Sequence, residues 1–423
     1  MSFPLAPPAG MRDLLPPEAA ARAQLASGLT RLFSTWGYEL VTTPPFEHAE
    51  VIERGLDTLD RRDLLRFVEP DTGEVALLRP DITPQIARIV ATQLADRPAP
   101  WRLCYAGSLI RQRRGRARKQ RQIAQAGVEL VGLEGASGDA EVIALAARAL
   151  ESLQLTDYRI ELSLVSLPRA ALAELPQGAR EAAEEALTRK DGAALEAALK
   201  HADRETRRRL LGAAELYGEV DLLTEARRIF RSKAAQQSLR GLARVIERVE
   251  ARGLGPRLAL DLGEVRGASY YSGVSFALLA HGPGEPVGAG GRYDGLLERF
   301  GAPAAATGFG LDLSNLEWAL ADVGRRPSAR RQARFVVAGG KAADRERVAE
   351  ELRRAEVGAA VIPARGERAA LDYARAWGYD AAVLLGRGGP RALRASDGAR
   401  RSWRRPGALV AWARPGDNDG SEG

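Results

Sequence analysis

A change of composition in the middle of the chain sets the terms for the rest. From residue 170 to about residue 253 the sequence is dominated by Ala, Leu, Glu and Arg, without long β-branched runs, and this predicts several short helices. Segments that read as strands lie on both sides: residues 101–110, 127–132 and 158–167 before it, 258–262 and 274–279 after it. A helical insertion therefore splits the sheet-forming parts. The insertion itself carries no recognisable chemistry. At 423 residues the chain is too long for one typical core, and two or three domains are expected.

Residues 258–300 crowd polar-tipped side chains against glycine. Arg266, Tyr270 and Tyr271 stand between two strands; Gly288, Gly290 and Gly291 then precede Arg292 and Tyr293. Glycines there let backbone pass close to a ligand or to another strand. A cation, phenols and bare backbone suit a pocket for a small zwitterion with a polar ring. A surface β-meander with ordinary tyrosines accounts for the same residues.

Upstream, residues 18–36 have helical periodicity ending at Gly37, and residues 38–43 alternate like a strand that stops at Pro44-Pro45. A helix feeding such a strand makes a natural dimer edge. It is equally natural inside any α/β domain. Residues 75–78 form another strand, leading through Arg79-Pro80-Asp81-Ile82-Thr83 to a helix over 85–94. Asp81 and Thr83 are placed to cap that helix, the commoner use of these residues, or to meet a ligand amine. Seven of the eleven residues from Arg111 to Arg121 are cationic and none is acidic. Such a run is usually a solvated loop, although arginine forks also match phosphate geometry. Gln125 and Glu129 follow on the returning strand of this hairpin, and residues 139–153 read as an amphipathic helix.

Composition narrows the class. Hydrophobic content of 45 % with 28 % charged residues fits a soluble globular protein, and no apolar run approaches membrane-spanning length. A single cysteine, Cys104, and the lack of a secretory h-region suit a reducing cytoplasm. Three scattered histidines and one cysteine argue against a zinc site; no metal and no cofactor is expected. Residues 324–334 read as a charged linker, 335–415 as a small α/β domain with a mostly parallel sheet, and 416–423 as a disordered tail. Residues 330–423 hold 19 basic and 12 acidic residues, a balance of +7 that equals the net charge of the whole chain. Charge alone is weak ground for nucleic-acid binding, and RNA is not expected as a partner.

The order of motifs resembles the histidyl-tRNA synthetase family over nearly the whole chain. Pro8-Ala9-Gly10-Met11-Arg12-Asp13-Leu14-Leu15-Pro16 is similar to its N-terminal signature. The helix over 18–36 with its strand resembles the dimer-forming first motif of class II synthetases. Arg79–Thr83, the hairpin from Arg111 to Glu129, and Arg266-Gly267-Ala268-Ser269-Tyr270-Tyr271 resemble parts of its histidine pocket, as does Gly290-Gly291-Arg292-Tyr293-Asp294-Gly295. The resemblance implies an α+β fold: a class II aminoacyl-tRNA synthetase-like antiparallel sheet flanked by helices, spanning residues 1–323, with the insertion and the C-terminal domain appended. It also implies that Asp81, Thr83, Gln125 and Glu129 hold the ammonium group and ring of L-histidine. Arg111 and Arg266 would bear on its carboxylate, with Tyr270, Tyr271 and Tyr293 around the imidazole.

Two departures bear on activity. Synthetases carry Arg-x-Glu in the hairpin, where this chain has Arg111-Gln112-Arg113. Their third motif ends in Glu-Arg, the arginine clamping ATP phosphates, where this chain has Ser314-Asn315. Losing one pre-placed charge donor costs about 10²–10³ in rate in the oxyanion-hole cases. The pattern is closer to the family's regulatory branch, the regulatory subunit of ATP phosphoribosyltransferase, than to an active histidine–tRNA ligase. That resemblance implies a non-catalytic subunit required by a short catalytic subunit in the first step of L-histidine biosynthesis. It further implies a share in feedback inhibition by histidine, and a dimer within a hetero-octamer.

Overall fold

The computed structural model describes residues 5–55, 64–111, 120–265, 270–325, 332–364, 366–402 and 406–414. They fall into two compact units, Met1–Pro327 and Ser328–Gly423. Parts of the linker (326–331) and the tail (416–423) lie outside the described residues.

The first unit is built on a nine-stranded sheet. Its order is Glu39–Leu40, Trp101–Ile110, Gln122–Val131, Ala306–Asp312, Gly288–Arg292, Ser275–Ala280, Tyr158–Ser163, Leu258–Asp261, Tyr217–Gly218. Neighbours run antiparallel except Glu39–Leu40 beside Trp101–Ile110 and Tyr158–Ser163 beside Leu258–Asp261. The two-residue period of a strand sorts side chains by face. Cys104, Ala126, Val128 and Leu130 join Leu25, Leu29 and Phe33 of the helix Glu18–Thr35 and the buried stripes of Ala136–Ser152 and Lys233–Glu250. Leu103, Tyr105, Leu109 and Ile123 pack on the other face against Ile86, Ala87 and Val90 of the helix Thr83–Gln93. A separate three-stranded sheet, Phe46–His48, Val75–Leu78 and Arg66–Val68, lies in the same unit.

Several elements differ in extent from the sequence reading. The strand expected over 38–43 shrinks to Glu39–Leu40, because Thr43 and Pro44 turn their carbonyls to Arg79 (2.8 and 3.1 Å) rather than to a ladder. Residues 158–167 stay extended only to Ser163, and Ser166–Leu172 is helical. The 127–132 strand begins earlier, at Gln122, since pairing with Trp101–Ile110 runs the length of both strands. Within the insertion, the helices Gln177–Arg189, Gly192–Ala198 and Arg204–Glu215 enclose a core of their own, while Lys233–Glu250 packs on the main sheet, to which Tyr217–Gly218 adds an edge strand.

The second unit has a five-stranded sheet in the order Gly358–Val361, Arg334–Gly339, Ala381–Gly386, Gly389–Arg394, Arg400–Ser402. The first three are parallel, but the last two are antiparallel, so the sheet is less parallel than expected. Arginine-rich strands such as Arg400–Ser402 carry no apolar signature. Ala342–Arg354 and Pro406–Ala413 cover one face and Glu367–Ala376 the other.

Candidate functional site

Alternation along Gln122–Val131 places Gln125, Gly127 and Glu129 on the face opposite Val128 and Leu130. There they meet the start of the helix Thr83–Gln93 and two tyrosines from the sequence stretch after the insertion. Glu129 is buried, with Thr83 Oγ1 donating to its Oε1 at 2.7 Å and the Tyr293 hydroxyl donating to its Oε2. Asp81 accepts from the Thr83 backbone N–H at 3.1 Å through Oδ1, and from the Tyr270 hydroxyl at 3.0 Å through Oδ2. Arg111 Nη2 lies 3.3 Å from the same Oδ2, while Arg111 Nε donates to the Pro80 carbonyl. Asp81 thus steadies the helix start through the Thr83 N–H and meets Tyr270 and Arg111 with its other oxygen. Thr83 spends its hydroxyl on Glu129 rather than on a cap.

The phenols form one aromatic wall. Tyr270 meets Tyr271 edge-on at 5.4 Å between centroids and Tyr293 at 5.6 Å. Glycines make room for the polar side chains. A Cβ at Gly308, which pairs in register with Glu129, would overlap the Glu129 carboxylate, and one at Gly310 would overlap the Gln125 amide. Burial pushes the Glu129 carboxyl up to about 8 and Asp81 adds to the rise, against the pull of the Tyr293 and Thr83 hydrogen bonds. Burial also raises Tyr270, Tyr271 and Tyr293, with Glu129 contributing to all three and Asp81 to the first two, so these phenols stay protonated. Two buried carboxylates facing tyrosine hydroxyls favour a ligand bearing an ammonium group or a ring N–H.

Of the residues singled out in the sequence, Asp81, Thr83, Arg111, Gln125, Glu129, Tyr270, Tyr271 and Tyr293 cluster here; Arg266 lies outside the described residues. Tyr105 was missed. It sits on Trp101–Ile110 opposite Gly127, with its hydroxyl 3.4 Å from Gln125 Oε1. Its position two residues from Leu103 in an alternating strand was the available signal. Arg292 turns away from the pocket, to Asp139 (2.8 Å), Asp294 (3.0 Å) and the Gly135 carbonyl (3.0 Å).

The third-motif positions are engaged internally. Asp312 caps the helix Leu313–Asp322 by accepting from the backbone N–H groups of Ser314 (2.9 Å) and Asn315 (3.1 Å). Asn315 is buried and donates to the Pro286 carbonyl at 2.9 Å. Arg22 donates to Ser314 Oγ at 3.2 Å and pairs with Glu317. Residues 112–119, with Gln112 and Arg113, lie outside the described residues.

Comparison with known proteins agrees with this architecture. The family model "Histidyl-tRNA synthetase" matches residues 10–316. An "ATP phosphoribosyltransferase regulatory subunit" from Anaeromyxobacter dehalogenans is 44 % identical over 345 residues, covering 80 % of this chain and 98 % of the relative. One from Moorella thermoacetica is 42 % identical, covering 83 % and 90 %. The solved "ATP phosphoribosyltransferase regulatory subunit/histidyl-tRNA synthetase" from Bacillus halodurans superposes with a TM-score of 0.74 at 29 % identity, over 85 % of this chain and 94 % of that one. Histidyl-tRNA synthetase from Nostoc sp. PCC 7120 shares the fold, with a TM-score of 0.76 at 20 % identity over 98 % of this chain and all of that one. By sequence and by fold, the chain belongs to the histidyl-tRNA synthetase family, in its branch of ATP phosphoribosyltransferase regulatory subunits.

Proposed function

We propose that this protein is a non-catalytic regulatory subunit of ATP phosphoribosyltransferase, required by a short catalytic subunit in the first step of L-histidine biosynthesis. In this reading its pocket binds L-histidine as the feedback signal. Asp81, Thr83, Gln125 and Glu129 take the ammonium group and ring, Arg111 and Arg266 the carboxylate, and Tyr270, Tyr271 and Tyr293 enclose the imidazole. The protein dimerises within a hetero-octamer in the cytoplasm, and histidine acts by binding the inhibited assembly more tightly than the active one.

One observation supports the reading: Asp81, Thr83, Glu129 and Tyr270 converge on one pocket, while Asp312, Ser314 and Asn315 are engaged in helix capping and internal hydrogen bonds. None of these three side chains is cationic, so none can supply the phosphate-clamping arginine that adenylate formation needs. The alternative, an active histidine–tRNA ligase, draws support from the dual description of the Bacillus halodurans relative. Histidine-dependent ATP–pyrophosphate exchange separates the two. The isolated chain is expected to bind histidine without exchanging pyrophosphate; robust exchange would make it a ligase. RNA binding is not favoured, since described arginines of the second unit such as Arg394, Arg400 and Arg414 already face carboxylates.

A further inference from the structure

The segment that leads into the pocket tyrosines is gripped by the helical insertion before it reaches them. Leu258–Asp261 pairs with Tyr217–Gly218, and the Leu262 N–H donates to the Leu216 carbonyl at 3.0 Å. Asp261, 3 % exposed, is held by Lys190 Nζ at 2.7 Å, and the same ammonium lies 3.6 Å from the centroid of the Tyr217 ring. At Gly263 the approach is close enough that a Cβ would stand 2.8 Å from the Ala213 carbonyl oxygen. Val265 is buried in the insertion's own core beside Ala171, Leu172 and Leu210, and its carbonyl accepts from Arg169 Nη2 at 3.0 Å. Five residues later Tyr270 donates to Asp81 across the pocket. Five residue steps span at most ~18 Å of extended chain, so the anchor limits where Tyr270 can stand.

We infer that Arg169 and Lys190 are positioning residues for the ligand pocket: they fix the arm Leu258–Val265, and so couple occupancy of the site at Tyr270 to the order of the helical insertion. The inference rests on the reading of that site as a histidine pocket. Neither residue touches the ligand. If the insertion's grip favours the binding-competent arm, the bound ligand must in turn favour the grip, because coupling between two sites is reciprocal.

The test uses the full chain with L-histidine as the probe. Arg169→Ala and Lys190→Met are expected to weaken histidine binding in calorimetry roughly fivefold or more. Arg169→Lys, which can still donate to one carbonyl, should recover most of the loss. In the wild type, histidine should slow amide hydrogen exchange in residues 208–218 and 258–265, and Arg169→Ala should abolish that slowing while far-ultraviolet circular dichroism stays unchanged. A merely structural role would lower melting temperature without removing the ligand-dependent protection. Unchanged affinity in both variants, or no protection in the insertion while Asp81→Asn still weakens binding, overturns the coupling and leaves the pocket reading standing. Failure of the wild type to bind histidine at all overturns both.

Discussion

At the scale of single residues, the site is defined by two buried carboxyl groups, of which burial makes Glu129 expensive to ionise. Asp81 accepts from Tyr270 and pairs with Arg111, and in the proposed reading it also meets the ligand ammonium. Asp81→Asn keeps the shape and removes the charge; histidine affinity in calorimetry should fall at least about tenfold, the scale of a charge-assisted hydrogen bond. Glu129 gives a pH dependence of known sign. Its carboxyl is raised from 4.5 to about 8 by burial, so between those values the folded, unliganded protein holds a proton that the unfolded chain has released. This group's contribution to stability therefore declines as pH rises from 4.5 to about 8. A ligand that needs the ionised form must displace that proton, so histidine affinity should rise from pH 6.5 to 8.5, by at most about tenfold per unit. A flat or falling profile in titrations across that range would exclude an ionised Glu129 from recognition. Gly308 is a third test. Gly308→Ala sets a methyl against the Glu129 carboxylate and should destabilise the fold by about 1–3 kcal/mol in denaturant unfolding, with loss of binding.

At the scale of elements, the helix Leu313–Asp322 begins at a side-chain cap made by Asp312. Asp312→Ala removes both cap hydrogen bonds and should cost about 1 kcal/mol by chemical denaturation, with little change in histidine affinity. Elements of this kind were legible in the sequence to differing degrees. The helices Glu18–Thr35 and Thr83–Gln93 and the mixed apolar strand Trp101–Ile110 were indicated by their residues alone. Glu39–Leu40 was indicated by the alternation over 38–43 but is shorter than that pattern, whereas Tyr217–Gly218 was not legible, because a two-residue edge strand exists through a neighbour's hydrogen bonds and has no pattern of its own. The pocket was recognisable because its side chains sit in runs such as Arg79–Thr83 and Gln125–Glu129. Tyr105 was hidden as one more aromatic in an apolar strand, and its role emerges only when Gly127 is seen to lie across from it. The anchoring of Val265 in the insertion was equally invisible, since it depends on contacts between segments far apart in the chain.

At the scale of the molecule, the match to regulatory relatives accounts for about four-fifths of the chain while spanning nearly all of the Anaeromyxobacter dehalogenans protein. The family model ends at residue 316, before the second unit begins. A solved synthetase fold, by contrast, covers 98 % of the chain. If regulation resides in the first unit, deleting residues 328–423 should leave histidine affinity within about twofold of the full chain. The measurement that tests the central claim most directly is phosphoribosyl transfer from phosphoribosyl pyrophosphate to ATP by a short catalytic subunit, assayed with and without this protein. The expected result is little activity from the catalytic subunit alone, substantial activity with this chain present, and inhibition of the pair by histidine. A catalytic subunit that is equally active alone, and unaffected by adding this chain, would contradict the account.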